Sequence, residues 1–180
     1  MQDERLPYWV ELWPASIALS DWLLLNKERI SGKKCLDLGC GLGLTALVAS
    51  SLNAQVLAVD YEEEALRYAR LNAALNKARP PLWTVMDWRV PAVRPKAVDF
   101  IWGGDIMYER RFIDPVLDFL EYALAEGGLV WLAEPNRNVY ADFRAALLQR
   151  GWKSTRVSSA WVDPLHAQKS QVSVSLWELS

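Results

Sequence analysis

Residues 36–43 read LDLGCGLG, and the fold prediction starts from this stretch. Its first residues belong to a short apolar run, Lys34 to Leu38, that predicts a buried strand, and its glycines lead into a helical pattern from Leu44 to Leu52. Three glycines at alternate positions allow a tight turn and a close approach of a ligand to the main chain. The helix that follows offers free backbone N–H groups in its first turn. Residues 36–43 are therefore a candidate ligand site.

Strand and helix patterns alternate outward from this stretch, from residue 33 to about 150. The predicted strands cover residues 34–38, 55–59, 82–86, 98–102 and 129–133, and the tail holds two more candidates, the second with Val172, Val174 and Leu176 alternating with serines. Two helices are predicted over residues 44–52 and 62–76. A third is predicted from the inward-facing residues Phe112, Val116, Leu120 and Ala123, and a fourth from Val139, Phe143, Ala146 and Leu147. Near-continuous apolar strands between amphipathic helices predict an α/β fold, with a mostly parallel, doubly wound, seven-stranded sheet and helices on both faces.

Composition favours a single globular domain over residues 1–180. Hydrophobic residues make up 52% and charged residues 23% of the chain, and the net charge is −2. This balance is ordinary for a folded domain. Because no run of Lys or Arg forms a basic stripe, general nucleic-acid binding is disfavoured. No signal peptide and no apolar stretch of about 18 residues is visible, so we expect a soluble, cytoplasmic protein without a membrane span.

The cysteines and the single histidine argue against a metal site. Cys35 and Cys40 are separated by an extended strand, which carries their side chains apart and disfavours a disulfide. Free thiols fit a reducing compartment. Together with the lone His166, the two thiols cannot build a usual zinc or iron site.

Two acids follow the second and third predicted strands. Asp60 ends the second strand, where a carboxylate can hold both hydroxyls of a ribose, and Asp87 ends the third, where it can accept a hydrogen bond from the exocyclic amine of adenine. Trp88 can pack beside that base. Each acid alone could instead cap a helix or turn. Since ligands of such sheets lie beyond the carboxyl ends of the strands, the acids and the glycine loop together predict a nucleotide-like site.

Two other glycine motifs fit less well. The dinucleotide fingerprint requires its third glycine at position 44, which is Leu44, whereas the third glycine here is Gly43. A phosphate-binding P-loop fails because no Gly-Lys-Ser/Thr follows.

The whole pattern resembles the class I S-adenosylmethionine-dependent methyltransferases, and the resemblance covers nearly the whole chain. Residues 36–43 are similar to that family's first motif, Asp60 to its ribose-binding acid, and Asp87-Trp88 to its adenine-side motif. The resemblance implies S-adenosylmethionine as cofactor and S-adenosylhomocysteine as product. It also implies that the last tail strand is antiparallel to the others. The cofactor-binding residues implied in this part of the chain are Asp37, Gly39, Cys40, Gly41, Gly43, Asp60, Tyr61, Asp87 and Trp88.

Two further segments resemble the seven-strand protein-lysine methyltransferases. Trp13-Pro14 precedes a helix, and Asp105-Ile106-Met107-Tyr108 follows the fourth strand. The resemblance implies that residues 1–31 cover the cofactor with Trp13 in contact with it, that residues 32–151 form the core, and that residues 152–180 form a strand pair. It further implies that Gly104 lines the methionine end of the cofactor, and that Asp105 and Tyr108 face the acceptor nitrogen as the catalytic residues.

Other interpretations stay open for these residues. Trp13 could be a packing residue at a helix start, Asp105 a turn cap, and Tyr108 a core residue. Direct base methylation is disfavoured, because the Pro-Pro pair typical of enzymes that methylate nucleic-acid amines is absent after Asp105. A protein lysine is the predicted acceptor and a small-molecule nitrogen or oxygen is the alternative. A catalytically silent binding module and an NAD-dependent oxidoreductase are the remaining hypotheses. A monomer is slightly favoured.

Overall fold

The computed structural model describes residues 8–163 and 170–180 of the chain. His166, which entered the metal argument, lies outside these residues, as do residues 1–7 of the predicted cofactor-covering segment. No helix in the described ranges is long and apolar enough to cross a bilayer. The helices are α1 (Pro14–Leu25), α2 (Lys27–Ile30), α3 (Leu44–Ser51), α4 (Glu63–Leu75), α5 (Ile113–Ala123) and α6 (Asn138–Gln149), and short 3₁₀ turns lie at Tyr8–Val10 and Arg110–Phe112.

One seven-stranded sheet runs through the molecule. Its strands are β1 (Lys34–Leu38), β2 (Gln55–Asp60), β3 (Leu82–Val85), β4 (Val98–Gly104), β5 (Leu124–Glu134), β6 (Ser154–Val162) and β7 (Val172–Leu179). The strand order is β3-β2-β1-β4-β5-β7-β6. Strands β1 to β5 are parallel, whereas β7 is antiparallel to both β5 and β6. The predicted mostly parallel, seven-stranded sheet with an antiparallel last strand is confirmed.

Side chains of the central strands alternate between two buried layers. On β4, Ile101 points into the layer built with α5 and α6, while Phe100 and Trp102 point into the layer built with α1, α3 and α4. This alternation is the period of two that a strand imposes. Trp22 packs edge-on against Trp131, with ring centroids 6.0 Å apart. It forms a wall of the second layer.

Local signals explain where helices α1 and α4 begin. Pro14 occupies the first turn of α1, where its missing N–H costs nothing. Glu63 and Glu64 lie in the first turn of α4, where a negative charge is favoured by the helix dipole by about 0.3–1 kcal/mol each. The helix predicted over 62–76 is observed as Glu63–Leu75.

The prediction for the fifth strand was too short. It placed the start at residue 129 because Gly127 and Gly128 read as a break, but β5 begins at Leu124. Gly127 has a φ of +72°, and the pairing with β4 shifts register between Val98 and Phe100. The glycines therefore form an irregularity within the strand, which a pattern of apolar residues does not reveal.

The strand order reverses between β1 and β4. Strands β2 and β3 extend the sheet on one side of this point, and β5, β7 and β6 extend it on the other. Ligands of open α/β sheets bind at the carboxyl ends of the strands next to such a switch point. The loops that follow β1 and β4 are residues 39–43 and 105–109, so the predicted site residues lie at this crevice.

Candidate active site

The glycine loop after β1 is tied to the neighbouring strand. Gly39, Gly41 and Gly43 have φ values of +70°, +50° and +84°, which L side chains rarely adopt. The amides of Gly39 and Cys40 both donate to the carbonyl of Val59, at 2.9 and 3.0 Å. The conformation of this loop therefore requires glycine at the positions that the sequence analysis named.

Two of these glycines differ in what an added side chain would meet. A Cβ on Gly43 would lie 2.8 Å from the ring of Trp83, which is too close without a shift. The nearest atom to a Cβ on Gly41 is the Trp9 carbonyl oxygen, at 3.7 Å. Gly43 is thus required by packing, whereas a Cβ on Gly41 would make only an ordinary van der Waals contact with the Tyr8–Val10 turn.

Asp60 holds the middle of the loop from the end of β2. Its Oδ2 accepts a hydrogen bond from the amide of Gly41 at 2.8 Å, and its Oδ1 accepts one from the amide of Glu62 at 3.0 Å. Burial raises the pKa of Asp60, and the two amides oppose that shift. The side chain of Tyr61 is exposed. The predicted ribose acid is therefore in direct contact with the predicted ligand loop.

Asp37 lies beneath the loop and is fully buried. The Thr45 hydroxyl donates to its Oδ2 at 2.5 Å, which links the end of β1 to the first turn of α3. Burial raises the pKa of Asp37 to about 7, against the opposing hydrogen bond from Thr45. Burial also raises the pKa of the Cys40 thiol well above its ordinary value. Cys40 is therefore an uncharged small residue of the loop, and Asp37 supports the loop from below.

Asp37→Asn is expected to change the pH dependence of stability. Because the folded pKa of Asp37 is about 7 and its unfolded value is near 3.9, the folded protein binds a proton that the unfolded chain releases between these values. The free energy of unfolding therefore falls as pH rises through this window, by up to about 4 kcal/mol from this group. The variant lacks this loss. Between pH 4 and pH 8 we therefore expect its free energy of unfolding to rise by about 2–4 kcal/mol relative to that of the unmodified protein, as measured by urea unfolding.

A matched control for that comparison is Asp21→Asn, since Asp21 is exposed on α1. The gain of Asp37→Asn between pH 4 and pH 8 should exceed the gain of Asp21→Asn measured under the same conditions. A stability difference for Asp37→Asn that does not change with pH would contradict the assignment of a proton to the buried Asp37.

Asp87 and Trp88 follow β3 at the same edge of the sheet. Arg89 donates to both carboxylate oxygens of Asp87, from Nε at 2.9 Å and from Nη2 at 2.6 Å. This side-chain pairing lowers the pKa of Asp87. The Trp88 ring packs edge-on against Phe112, with centroids 5.2 Å apart. The predicted adenine acceptor is therefore paired with an arginine of its own loop.

The N-terminal segment lies across the carboxyl edge of the sheet. The indole Nε1 of Trp13 donates to the carbonyl of Tyr8 at 2.7 Å. The Tyr8 ring is 6.1 Å from the ring of Tyr108, and the Trp9 ring is 5.5 Å from the ring of Tyr68 on α4. These contacts extend from the loop after β4 to helix α4, so the segment spans the crevice from one side to the other.

The end of β4 is packed closely against α1 and the glycine loop. A Cβ on Gly104 would lie 3.1 Å from the Ser16 hydroxyl, in the first turn of α1. The buried Ile106 side chain lies 3.0 Å from a Cβ built on Gly39 and 2.8 Å from one built on Gly103. The two loops at the switch point are therefore joined by Ile106, and Gly104 gives α1 room to approach.

Asp105 forms a bidentate ion pair that the sequence did not predict. Its φ is +53°, and its amide donates to the carbonyl of Ala133 at 2.8 Å. The Nε and Nη2 of Arg137 donate to Oδ1 and Oδ2 of Asp105, both at 2.6 Å. The Asp105 side chain is 6% exposed and that of Arg137 is 38% exposed. The carboxylate is thus fixed and buried, with a cation on its solvent side.

Tyr108 lies at the rim of the crevice, with 42% of its surface exposed. Its ring meets Phe112 edge-on at 5.1 Å. Partial burial raises the pKa of the phenol, with a further contribution from the neighbouring Glu109. Tyr108 is therefore a neutral phenol at physiological pH, with its hydroxyl available as a hydrogen-bond partner.

The crevice brings the predicted residues together at the ends of four adjacent strands, β1 to β4. Four contributors were missed by sequence reasoning: Tyr8, Thr45, Arg89 and Arg137. Of these, Thr45 carries a local signal, because a hydroxyl in the first turn after a glycine loop can reach back to the strand. Arg137 has no local signal, since its partner is 32 residues away in the sequence. In the described ranges, no group of three or more metal-ligating side chains is found.

Comparisons with known proteins agree with this fold. The structure of a magnesium protoporphyrin IX methyltransferase from Synechocystis, with bound S-adenosylmethionine, superimposes with a TM-score of 0.69 at 17% identity and covers 91% of this chain and 76% of that chain. The electron transfer flavoprotein beta subunit lysine methyltransferase of Danio rerio is 33% identical over 138 residues, which are 76% of this chain and 53% of the relative. A human histone-arginine methyltransferase is 24% identical over 78% of this chain and 77% of its own length.

The fold is thus shared with S-adenosylmethionine-dependent methyltransferases. A family model described as lysine methyltransferase matches residues 4–144, and the chain belongs to this family. The chain spans about half the length of the flavoprotein-directed relatives that it matches.

Proposed function

We propose that this protein transfers a methyl group from S-adenosylmethionine to a nitrogen acceptor, and that the acceptor is a lysine side chain of a specific protein. The observation that carries the proposal is the meeting of three elements at the switch point of the sheet: the glycine loop after β1, Asp60 at the end of β2, and the Asp105–Tyr108 segment after β4. Membership of the lysine methyltransferase family supports the same function.

The surroundings of Asp60 support a ribose at this position. A carboxylate has about four lone-pair sites, and two of them are taken by the amides of Gly41 and Glu62. The remaining sites can accept hydrogen bonds from both hydroxyls of a ribose. The absence of a side chain at Gly41 lets the cofactor lie against the main chain of the loop. In this arrangement Gly104 lines the methionine end and Trp13 with its segment covers the cofactor.

Asp87 is proposed to accept a hydrogen bond from the adenine amine, with Tyr61 and Trp88 beside the base. Arg89, which pairs with Asp87, has a side chain that is 61% exposed. An ion pair this exposed to solvent is only weakly held. Arg89 can therefore turn away and free one carboxylate oxygen for adenine.

The transfer itself is an in-line displacement. The nitrogen lone pair of the acceptor attacks the methyl carbon, and the carbon–sulfur bond breaks with its electron pair moving to sulfur, which leaves S-adenosylhomocysteine. A free lysine has a pKa near about 10.4, so it must lose a proton to react. We assign to Asp105 the attraction and orientation of the acceptor and to Tyr108 the wall of the channel by which the proton leaves to solvent. Alignment of the reactants is the main contribution to the rate.

A guanidine nitrogen is the second candidate acceptor. The structural basis is that the Asp105 carboxylate receives the Arg137 guanidinium in a bidentate geometry, so the site has the shape for such a group. The human histone-arginine methyltransferase relative fits this alternative. A small-molecule nitrogen or oxygen acceptor and a catalytically silent module are the other hypotheses, and the second is disfavoured because the glycine loop, Asp37 and Asp60 are all in place.

The cysteines and the surface of the protein support proposals about its cellular compartment and its partners. Cys35 and Cys40 are both buried and free, which supports a reducing compartment such as the cytoplasm. We propose a protein partner as substrate, with recognition by the N-terminal segment, the loop after Tyr108 and the β6–β7 hairpin. A monomeric state stays a prediction, and so does the lack of general nucleic-acid binding, which is inferred from the scattered charges.

Calorimetric titration tests the cofactor proposal. S-adenosylmethionine and S-adenosylhomocysteine should each bind at one site per chain with a dissociation constant of about 1 mM or tighter, whereas NAD⁺ should show no heat of binding. The result that would overturn the proposal is tighter binding of NAD⁺ than of S-adenosylmethionine, or no binding of either sulfur compound.

A further inference from the structure

The carboxylate proposed to orient the acceptor already holds a cation of the chain itself. We infer that Arg137 occupies the acceptor's place at Asp105 and acts as a specificity-determining residue, because a cationic acceptor has to displace its guanidinium before it can bind there. This inference rests on one part of the proposed function, which is that Asp105 orients the acceptor. It adds Arg137 to the site, and it adds a requirement that an acceptor displace the Arg137 guanidinium from Asp105.

The geometry of the pair gives Arg137 this position. Two parallel N–H···O bonds of 2.6 Å join Arg137 to Asp105. Charge-assisted bidentate bonds are among the strong ones in proteins. The carboxylate is 6% exposed, while the guanidinium is 38% exposed. Arg137 therefore covers Asp105 on the side that faces solvent, from which an acceptor has to approach.

The main chain on both sides of the pair is fixed, so only the arginine side chain has to move. The amide of Arg137 donates to Oε2 of Glu134 at 3.1 Å, and the amide of Asp105 donates to the carbonyl of Ala133 at 2.8 Å. The preceding Asn136 donates to the Ser173 carbonyl of β7 at 3.0 Å. With these anchors in place, rotation about side-chain bonds releases the guanidinium without unfolding the loop.

The local charges favour the arrival of a second cation. Two carboxyl groups, Asp105 and Glu134, lie near the single guanidinium of Arg137, and both acids contribute to raising the pKa of that guanidinium. Burial raises the pKa of the Tyr108 phenol at the rim, so its ring carries no charge at neutral pH. A positively charged acceptor therefore balances the second carboxyl group, and Arg137 can remain close by after it has moved off Asp105.

Displacement of this kind selects among acceptors. When a binding-competent state is only partly populated, the apparent affinity falls by the same fraction. A small free amine gains little beyond the contact with Asp105, so the competition weakens its binding. A lysine on a protein surface brings a larger surface that can make further contacts at the rim of the crevice. Arg137 therefore lowers the affinity for every cationic acceptor by the same factor, so that only acceptors with further contacts bind well, and an uncharged molecule does not displace it.

A binding titration with n-butylammonium tests this role, because this ion has the charged end of a lysine side chain. Binding is followed by NMR shifts of the Gly104 and Asp105 amides at pH 8, with and without S-adenosylhomocysteine. Arg137→Gln should bind n-butylammonium at least about fivefold more tightly than the unmodified protein, since the competing guanidinium is gone. Arg137→Lys, which keeps the charge but loses the bidentate geometry, should give an intermediate value.

The control for the pair is the Asp105→Asn background. There, Arg137→Gln should give no gain, because the carboxylate for which the two cations compete is absent. Uncharged n-butanol should not distinguish the variants. Thermal unfolding of each variant verifies folding. If Arg137→Gln does not fold, Arg137→Lys is compared with the unmodified protein instead.

Three outcomes would overturn the inference: equal or weaker binding after Arg137 is replaced, a gain that persists in the Asp105→Asn background, or no binding of n-butylammonium by any variant. The titration requires no turnover. If the protein transfers methyl groups but shows one of these outcomes, only the role inferred for Arg137 is disproved. If the protein neither binds the cofactor nor transfers a methyl group, the proposed function itself is disproved.

Discussion

Asp105→Asn is expected to lower methyl transfer at least about 100-fold while cofactor affinity changes less than about threefold. Asparagine accepts the φ of +53° at this position and keeps one oxygen for Arg137, so the loop should keep its shape. The negative charge that orients the acceptor is lost. Turnover is measured with labelled S-adenosylmethionine, and cofactor affinity by calorimetry.

Asp21→Asn is the matched control, since Asp21 is an exposed aspartate on α1 outside the crevice. It should leave both turnover and cofactor affinity unchanged. Unchanged turnover in Asp105→Asn would remove Asp105 from the reaction. A large loss of cofactor affinity would instead move Asp105 into the cofactor site.

Gly41→Val is expected to weaken binding of S-adenosylmethionine at least about 100-fold, because the side chain fills the space proposed for the cofactor. The same change costs the fold only about 1–3 kcal/mol, since the strain is confined to a φ of +50° and the nearest atom to the Cβ position is 3.7 Å away. Calorimetry and urea unfolding measure the two effects separately.

Gly43→Ala is the matched comparison on the same loop. Its Cβ would lie 2.8 Å from the Trp83 ring and its φ is +84°, so stability should fall by about 2–4 kcal/mol. The two glycines should therefore differ in the ratio of lost affinity to lost stability. Normal cofactor binding by Gly41→Val would show that the ligand does not approach the loop at this position.

The strands next to the site were predictable because their sequence signals are local. The predicted first strand, residues 34–38, is β1, and the predicted second strand differs from β2 only by Asp60 at its end. Buried parallel strands require apolar side chains on both faces, and this produces an unbroken apolar run between turn signals. The fifth strand was predicted too short because its glycines lie within the strand at a local irregularity in the pairing with β4.

The contacts across the crevice were not predictable in the same way. Asp105 meets Arg137 because β4 pairs with β5 in a register that sets Gly104 opposite Ala133. That register depends on packing throughout the sheet, which apolar periodicity does not specify. Asp87 was expected to be free for adenine, yet Arg89 pairs with it within the same loop. Sequence patterns predicted which side chains lie at the crevice, but not which of them pair with each other.

Methyl transfer from labelled S-adenosylmethionine is the most direct test of the central claim. The protein is incubated with tritiated cofactor and an extract of cells that lack it, and labelled proteins are separated and hydrolysed to amino acids. We expect one or a few labelled proteins, with the label in methylated lysine, and no such label when Asp105→Asn is used. No labelled protein despite intact cofactor binding, or label in methylated arginine alone, would contradict the assignment of a protein lysine as the acceptor.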